Sequence, residues 1–274
     1  MTHIETLAPL AAALLGAGLL AGLLAGLLGV GGGIIMVPVL YYVFGFLDVD
    51  VAVRMHMAVG TSLAAMIPTS IRSALAHRKK GAVDEDLFRR WLPGIAFGVL
   101  AGVLTASHVK GPVLMAVFAS FALLVAVYMA FGKDSWRIAS ELPGRAAQSG
   151  LAAGIASVSV MMGIGGGTFT VPALTLFGYP IHRAVGTAAA IGVLIAVPGA
   201  IGFVLGGLGE VGRPWGSLGF ANLVGVAALI PTTIMAAPWG VALAHRLQRR
   251  QLRLAFALFL AATGLKMALS LLGV

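Results

Sequence analysis

Two glycine clusters are the residues here best suited to chemistry, and the chemistry they offer is anion binding. Gly29 to Pro38 reads GVGGGIIMVP, and Gly163 to Pro172 reads GIGGGTFTVP. Glycine is a poor helix-interior residue, so several together should break a helix. N–H groups freed at Gly31, Gly32 and Gly33, and at Gly165, Gly166 and Gly167, would then cradle a small oxyanion. The short helices that follow, starting near Ile34 and Thr168, turn their positive ends to the same place. Thr61, Ser62 and Thr187 bring hydroxyls into otherwise apolar segments, where they either donate to an oxyanion or return to the carbonyl one turn back. His56 and His182 each stand two residues before an AVGT sequence. An imidazole there would hold an anion or titrate near neutral pH, or simply face lipid headgroups.

Other chemistries find little footing. No cysteine is present, which excludes thiolate catalysis, disulfides and cysteine-ligated metals. The nine acids (Glu5, Asp48, Asp50, Asp84, Glu85, Asp86, Asp134, Glu141 and Glu210) fall in loops or at segment ends. Cation and proton-coupled carriers often set carboxylates at mid-membrane depth, so an anionic substrate fits better. No Ser-His-Asp grouping, HExxH or paired carboxylate appears, so no enzyme, metal site or cofactor is expected. The glycines are not a dinucleotide fingerprint, because no strand precedes them. Arg54 and Arg183 read as snorkelling cations. Arg72, among Thr69, Ser70 and Ser73, is an intramembrane cation one turn from a basic loop.

The elements that must hold these residues are membrane helices. Apolar residues make up 59% of the 274, charged residues 10%, and mean hydropathy is +1.02. A soluble domain carries roughly a quarter charged residues. Apolar segments run over 7–28, 33–46, 51–76, 91–107, 111–131, 146–163, 167–179, 181–206, 216–244 and 254–272. The segments 33–46 and 167–179 would reach only ~20 Å against a ~30 Å hydrocarbon core, so each is a half-span or re-enters. The other eight are long enough to cross. The expected fold is an all-α polytopic membrane protein with broken helices.

The two clusters belong to an internal repeat. HMAVGTS from His56 matches HRAVGTA from His182, IPTSI at Ile67 matches VPGAI at Val197, and LMAVF at Leu114 matches LRLAF at Leu252. Residues 1–131 and 146–274 are therefore two transmembrane repeats, joined by a linker at 132–145. Twelve of the eighteen cations lie in loops 78–90, 132–145 and 245–253, whereas the repeat-equivalent loops are nearly bare. The positive-inside rule puts the basic loops in the cytoplasm, so equivalent loops face opposite sides and both termini face outward. This is an inverted-topology repeat, a plan of secondary transporters. The net charge of +9 sits in those loops and not on a basic, aromatic-interleaved surface, so nucleic acid is not a partner.

The doubled GxGGGxxxVP, each copy followed by HxAVGT, resembles the TauE/SafE (TSUP) family of sulfite exporters over nearly the whole chain. That resemblance implies an inner-membrane protein of bacteria or archaea carrying sulfite or a related sulfur-containing anion, usually outward. The expected function is thus a secondary transporter working by alternating access. Its partners are a small anion and the lipid bilayer; a coupling proton or ion and a homo-oligomeric state stay open. A passive anion channel and a non-transporting assembly protein are the alternatives. Ala188 stands where the first repeat has Ser62, and Thr168 and Thr170 occur only in the second. The two half-sites are chemically unequal.

Overall fold

The computed structural model describes residues 3–28, 32–132, 137–244 and 249–272. Its helices are α1 (His3–Leu28), α2 (Gly33–Phe46), α3 (Val51–Lys79), α4 (Glu85–His108), α5 (Gly111–Phe131), α6 (Arg145–Met161), α7 (Gly167–Leu176), α8 (Ile181–Gly206), α9 (Leu223–Ala244) and α10 (Arg249–Leu271). An antiparallel hairpin of β1 (Ser217–Leu218) and β2 (Ala221–Asn222) precedes α9. Among the described residues, α3, α4, α5, α8 and α9 are long and apolar enough to cross a membrane.

Local chemistry sets the helix ends. Asp50 accepts from the Ala52 N–H at 2.9 Å and starts α3, and Asp84 accepts from the Leu87 N–H at 3.0 Å and starts α4. The α4 helix therefore begins six residues before the apolar segment read from sequence, its first turn being charged and capped. The segment expected over 216–244 is divided, because Gly216 (φ 78°) and Gly219 (φ 56°) turn the chain into the hairpin before α9 begins.

The α3 and α8 helices pack against each other centrally. Around them α1 packs on α9, α4 on α6 and α5 on α10, while α2 lies on α3 and α7 on α8. Small residues permit the tightest of these contacts. Gly18 and Gly22 lie under Leu229, Thr233 and Ala236 of α9, so α1 and α9 run parallel. Gly94 and Gly98 meet the backbone of Ser149 and Ala153 in the same way, which sets α4 parallel to α6. Trp91, Phe118 and Met57 are buried in the core, whereas Phe97, Leu100, Leu124 and Leu258 face outward. Such an apolar exterior suits lipid and not water.

The two ends of the bundle differ. At one, Arg78 pairs with Glu85 at 2.8 Å and Arg183 with Asp84 at 3.3 Å. There the Ile138 N–H also donates to the Leu176 carbonyl at 2.7 Å, so α7 finishes beside the chain that leads into α6. At the other end Gly111, which opens α5, lies against the Val51 and Ala52 carbonyls, and Gly212 lies against Asp50. The hairpin is at this end, and because α1 runs parallel to α9, α1 starts here too. The α2 helix finishes here as well, with Gly45 against Arg54.

Candidate functional site

The two glycine breaks touch at the centre of the molecule. Gly32, at φ 71°, caps α2, and its carbonyl accepts from the Ile35 and Met36 N–H groups at 3.1 and 3.3 Å. A side chain there would also strike the Ala21 carbonyl. Gly33 lies against the Gly163 carbonyl, the Ile164 Cα and the Met66 sulfur. Gly163, at φ 67°, packs in turn on Val37 and on the Val59 backbone. Ser62 donates to the Gly163 carbonyl at 2.8 Å, which commits its proton within the protein. Gly31 lies outside the described residues.

The second break has different surroundings. Gly165, Gly166 and Gly167 are buried, and the Gly166 carbonyl accepts the Thr170 N–H at 2.9 Å. Opposite stand Ile191, Gly192 and Ile195 of α8. The point where a Gly192 Cβ would stand is 3.7 Å from both the Gly166 nitrogen and the Ser70 Oγ. Thr168 and Thr170 are buried, and neither hydroxyl has a hydrogen-bond partner among the described residues. Ser159, near the end of α6, is in the same condition.

The AVGT threonines do something the sequence did not suggest. Thr61 Oγ1 accepts the Asn222 N–H at 2.9 Å, and Asn222 Oδ1 accepts the Gly225 N–H at 2.8 Å at the start of α9. Thr187 Oγ1 accepts the Asp84 N–H at 2.9 Å, and Asp84 caps α4. Gly60 and Gly186 make room, lying against the carbonyls of Phe220 and Ala82. Each GT pair thus fastens the third helix of one sequence half to the start of the fourth helix of the other. Each hydroxyl keeps a proton that these contacts do not use.

The two histidines part company. His56 is buried, its Nε2 lies 3.0 Å from the Ala106 carbonyl, and its ring stacks on Phe220 at 4.9 Å. His182 is exposed at the basic end. Each is six residues from the matching Ser62 or Ala188 position, about 9 Å along its helix. Arg54 donates to the Val49 carbonyl at 3.0 and 2.7 Å and covers Tyr41, while Arg72 is exposed. Among the described residues no three His, Asp or Glu side chains gather as metal ligands would.

Charge at the basic end centres on Asp84. Burial alone would raise its carboxyl, but hydrogen bonds from Tyr179 and the Leu87 N–H, with the Arg183 guanidinium, hold it below the ordinary aspartate value. The Tyr179 phenol is pushed up by burial and by the same carboxylate.

Sequence reasoning passed over Met66, Ser159 and Gly192, and noted Ser70 only as a neighbour of Arg72. A signal existed for two of them. Met66 and Gly192 both stand five residues after the AVGT threonine, so the repeat itself marks an exchange of a long side chain for none.

Helices crossing an apolar exterior around a buried, twice-broken centre define a multi-pass α-helical membrane protein. The chain belongs to the sulfite exporter TauE/SafE family, whose model matches residues 14–267. It is 34% identical to a probable membrane transporter protein of Haemophilus influenzae over 243 residues, covering 88% of this chain and 91% of that one. A probable membrane transporter protein of Methanocaldococcus jannaschii is 26% identical over 255 residues, covering 88% and 89%. The probable membrane transporter protein YunE of Bacillus subtilis is 25% identical over 242 residues, covering 81% and 84%. No solved structure matches the chain significantly.

Proposed function

We propose that this protein is a secondary transporter that exports a small sulfur-containing anion, such as sulfite or an organosulfonate, across the inner membrane. It works by alternating access of two inverted halves, 1–131 and 146–274, joined by the cytoplasmic linker 132–145. The observation that carries this reading is the contact of Gly33 with Gly163, which sets two broken helices against each other beside the central α3–α8 pair. Interrupted helices in corresponding places of two halves mark transport sites. Irregular backbone is tolerated at membrane depth only where protein covers it or water reaches it. The description of the family and the names of the three relatives point the same way.

The inverted halves draw support from the packing. Exchanging α1–α5 for α6–α10 turns the α1–α9 pair into α6–α4 and the α2–α3 pair into α7–α8, and it leaves α3–α8 and α5–α10 as they are. The return of α7 to the side where α6 begins favours re-entry, not crossing, for the segment 167–179, and α2 behaves likewise for 33–46. With α1 and α2, and likewise α6 and α7, entering and leaving on one side, each half changes sides three times, through α3, α4 and α5 or α8, α9 and α10, in place of the eight full spans expected from the sequence. An odd number keeps both termini outside. The substrate would sit where the breaks meet, among the N–H groups of Gly31–Gly33 and Gly165–Gly167, with Thr61, Thr168 and Thr187 as hydroxyl donors; Ser62, expected as a donor from the sequence, is instead hydrogen-bonded to the Gly163 carbonyl. His56 and His182 flank the path at opposite ends.

Purified protein in liposomes tests this directly. Uptake of sulfite, thiosulfate, sulfate and sulfonates is measured with a pH gradient imposed and removed. Saturable flux of at least one sulfur anion, stimulated by the same anion on the far side, is the expected result. Absence of flux for all of them refutes the reading, and unsaturable flux converts the carrier to a channel.

A further inference from the structure

Resting on the transporter reading above, we infer that the anion is held at the second break alone, beside Gly192, and that the first break is a closed structural joint. The first break is filled: the Met66 sulfur and the Gly163 carbonyl occupy the space beside Gly33, and the Ser62 hydroxyl donates its hydrogen bond to that carbonyl. The residues that follow it, Ile34 and Met36, are apolar and buried. A carbonyl and a thioether offer an anion nothing but repulsion or indifference.

Every feature is reversed at the second break. The helix that starts there, α7, carries Thr168 in its first turn and Thr170 after it, in place of Ile34 and Met36. Thr168 is 3% exposed and Thr170 fully buried, yet neither hydroxyl is satisfied within the described protein. Helical side chains slant toward the N-terminus, so Thr168, in the first turn of α7, stands on the side of the freed N–H groups of Gly167 and its neighbours. An unpaired buried hydroxyl costs stability that a bound oxyanion would return. The point where a Gly192 Cβ would stand is 3.7 Å from both the Gly166 nitrogen and Ser70 Oγ, so one polar atom from each half lies beside it. Uncharged donors around a helix N-terminus suit a tetrahedral or pyramidal oxyanion of sulfur, held by hydrogen bonds without a fixed cation.

The test compares matched substitutions by equilibrium binding of 35S-labelled sulfite and sulfate to purified protein, with thermal unfolding measured alongside. Thr168→Val and Thr170→Val should each weaken binding about tenfold, the loss of one hydrogen bond to a charged group. Both should unfold no lower than wild type, because valine removes an unpaired hydroxyl and keeps the shape. Gly192→Met should block binding, and Met66→Leu at the first break should change it less than about twofold. Wild-type protein that binds and transports no sulfur anion refutes the transporter reading itself. Wild-type binding that survives both valine substitutions refutes only the one-sided site, as does an equal loss in Met66→Leu. Binding of 22Na+ that the valine substitutions abolish, with anion binding retained, would reassign these hydroxyls to a cation.

Discussion

The hydroxyl oxygen of Thr61 accepts the backbone N–H of Asn222 at 2.9 Å, across 161 residues of sequence. Its repeat counterpart, Thr187, accepts the N–H of Asp84 at the same distance across 103 residues. These bonds are reciprocal straps between the halves, each beside a glycine that admits the strapped backbone. Replacing Thr61 with valine leaves the buried Asn222 N–H unpaired at a cost of about 1–3 kcal/mol, and replacing Thr187 costs less because the Asp84 N–H is only part-buried. Thr61→Val and Thr187→Val should therefore lower the unfolding temperature in detergent, and serine at the same positions should restore most of it. Valine variants that melt like wild type would show that the straps carry no weight.

Asp84 makes the strap at the basic end sensitive to acid. Its folded carboxyl lies below the ordinary aspartate value, so the stability it contributes is fully present above the unfolded carboxylate range. That contribution is lost as pH falls through the folded value. Thermal unfolding recorded from neutral pH down to about 3 should drop more steeply for wild type than for Asp84→Asn. The strap at the other end has Asn222 in the equivalent place, so an Asn222→Asp variant should gain an acid limb that wild type lacks there. Parallel curves for wild type and Asp84→Asn would remove Asp84 from the acid response.

How much of this could be read from the chain divides along physical lines. The segments 33–46, 111–131 and 181–206 coincide with α2, α5 and α8, because the bilayer demands apolar runs and Gly or Pro marks where they stop. The breaks were legible for the same reason. The partners of Thr61 and Thr187 were not, since Asn222 and Asp84 arrive from the other half and nothing local points to them. His56 and His182 look equivalent in sequence, but the first lies under Phe220 of the hairpin before α9, and the described residues before α4 in the first half form no matching hairpin to cover the second. The start of α9 was missed because hydropathy registers Phe220 and Ala221 as membrane and cannot see the turn at Gly216 and Gly219.

Helix packing gives a sharp contrast between glycines. A side chain on Gly98 would enter the backbone of Ala153 on α6, whereas nothing lies within 4 Å of a Cβ on Gly150. Gly98→Leu should separate α4 from α6 and yield aggregated or poorly expressed protein in size-exclusion chromatography. Gly150→Leu should remain monodisperse and gain about 0.5–1 kcal/mol of helix propensity. A well-behaved Gly98→Leu protein would mean that α4 and α6 do not pack as described.

The lack of native cysteine makes the topology testable residue by residue. Glu141 precedes α6, His182 follows α7, and both are exposed at the basic end, while Glu210 is exposed at the other. Single Glu141→Cys, His182→Cys and Glu210→Cys variants can be labelled in right-side-out vesicles with an impermeant maleimide. Glu210→Cys should react from outside. Glu141→Cys and His182→Cys should react only after the vesicles are opened, because in the proposed topology α6 and α7 enter and leave on the cytoplasmic side. If His182→Cys labels from outside while Glu141→Cys does not, α6 and α7 together cross the membrane. The second repeat would then cross an even number of times, and the inversion of the two halves would fail with it.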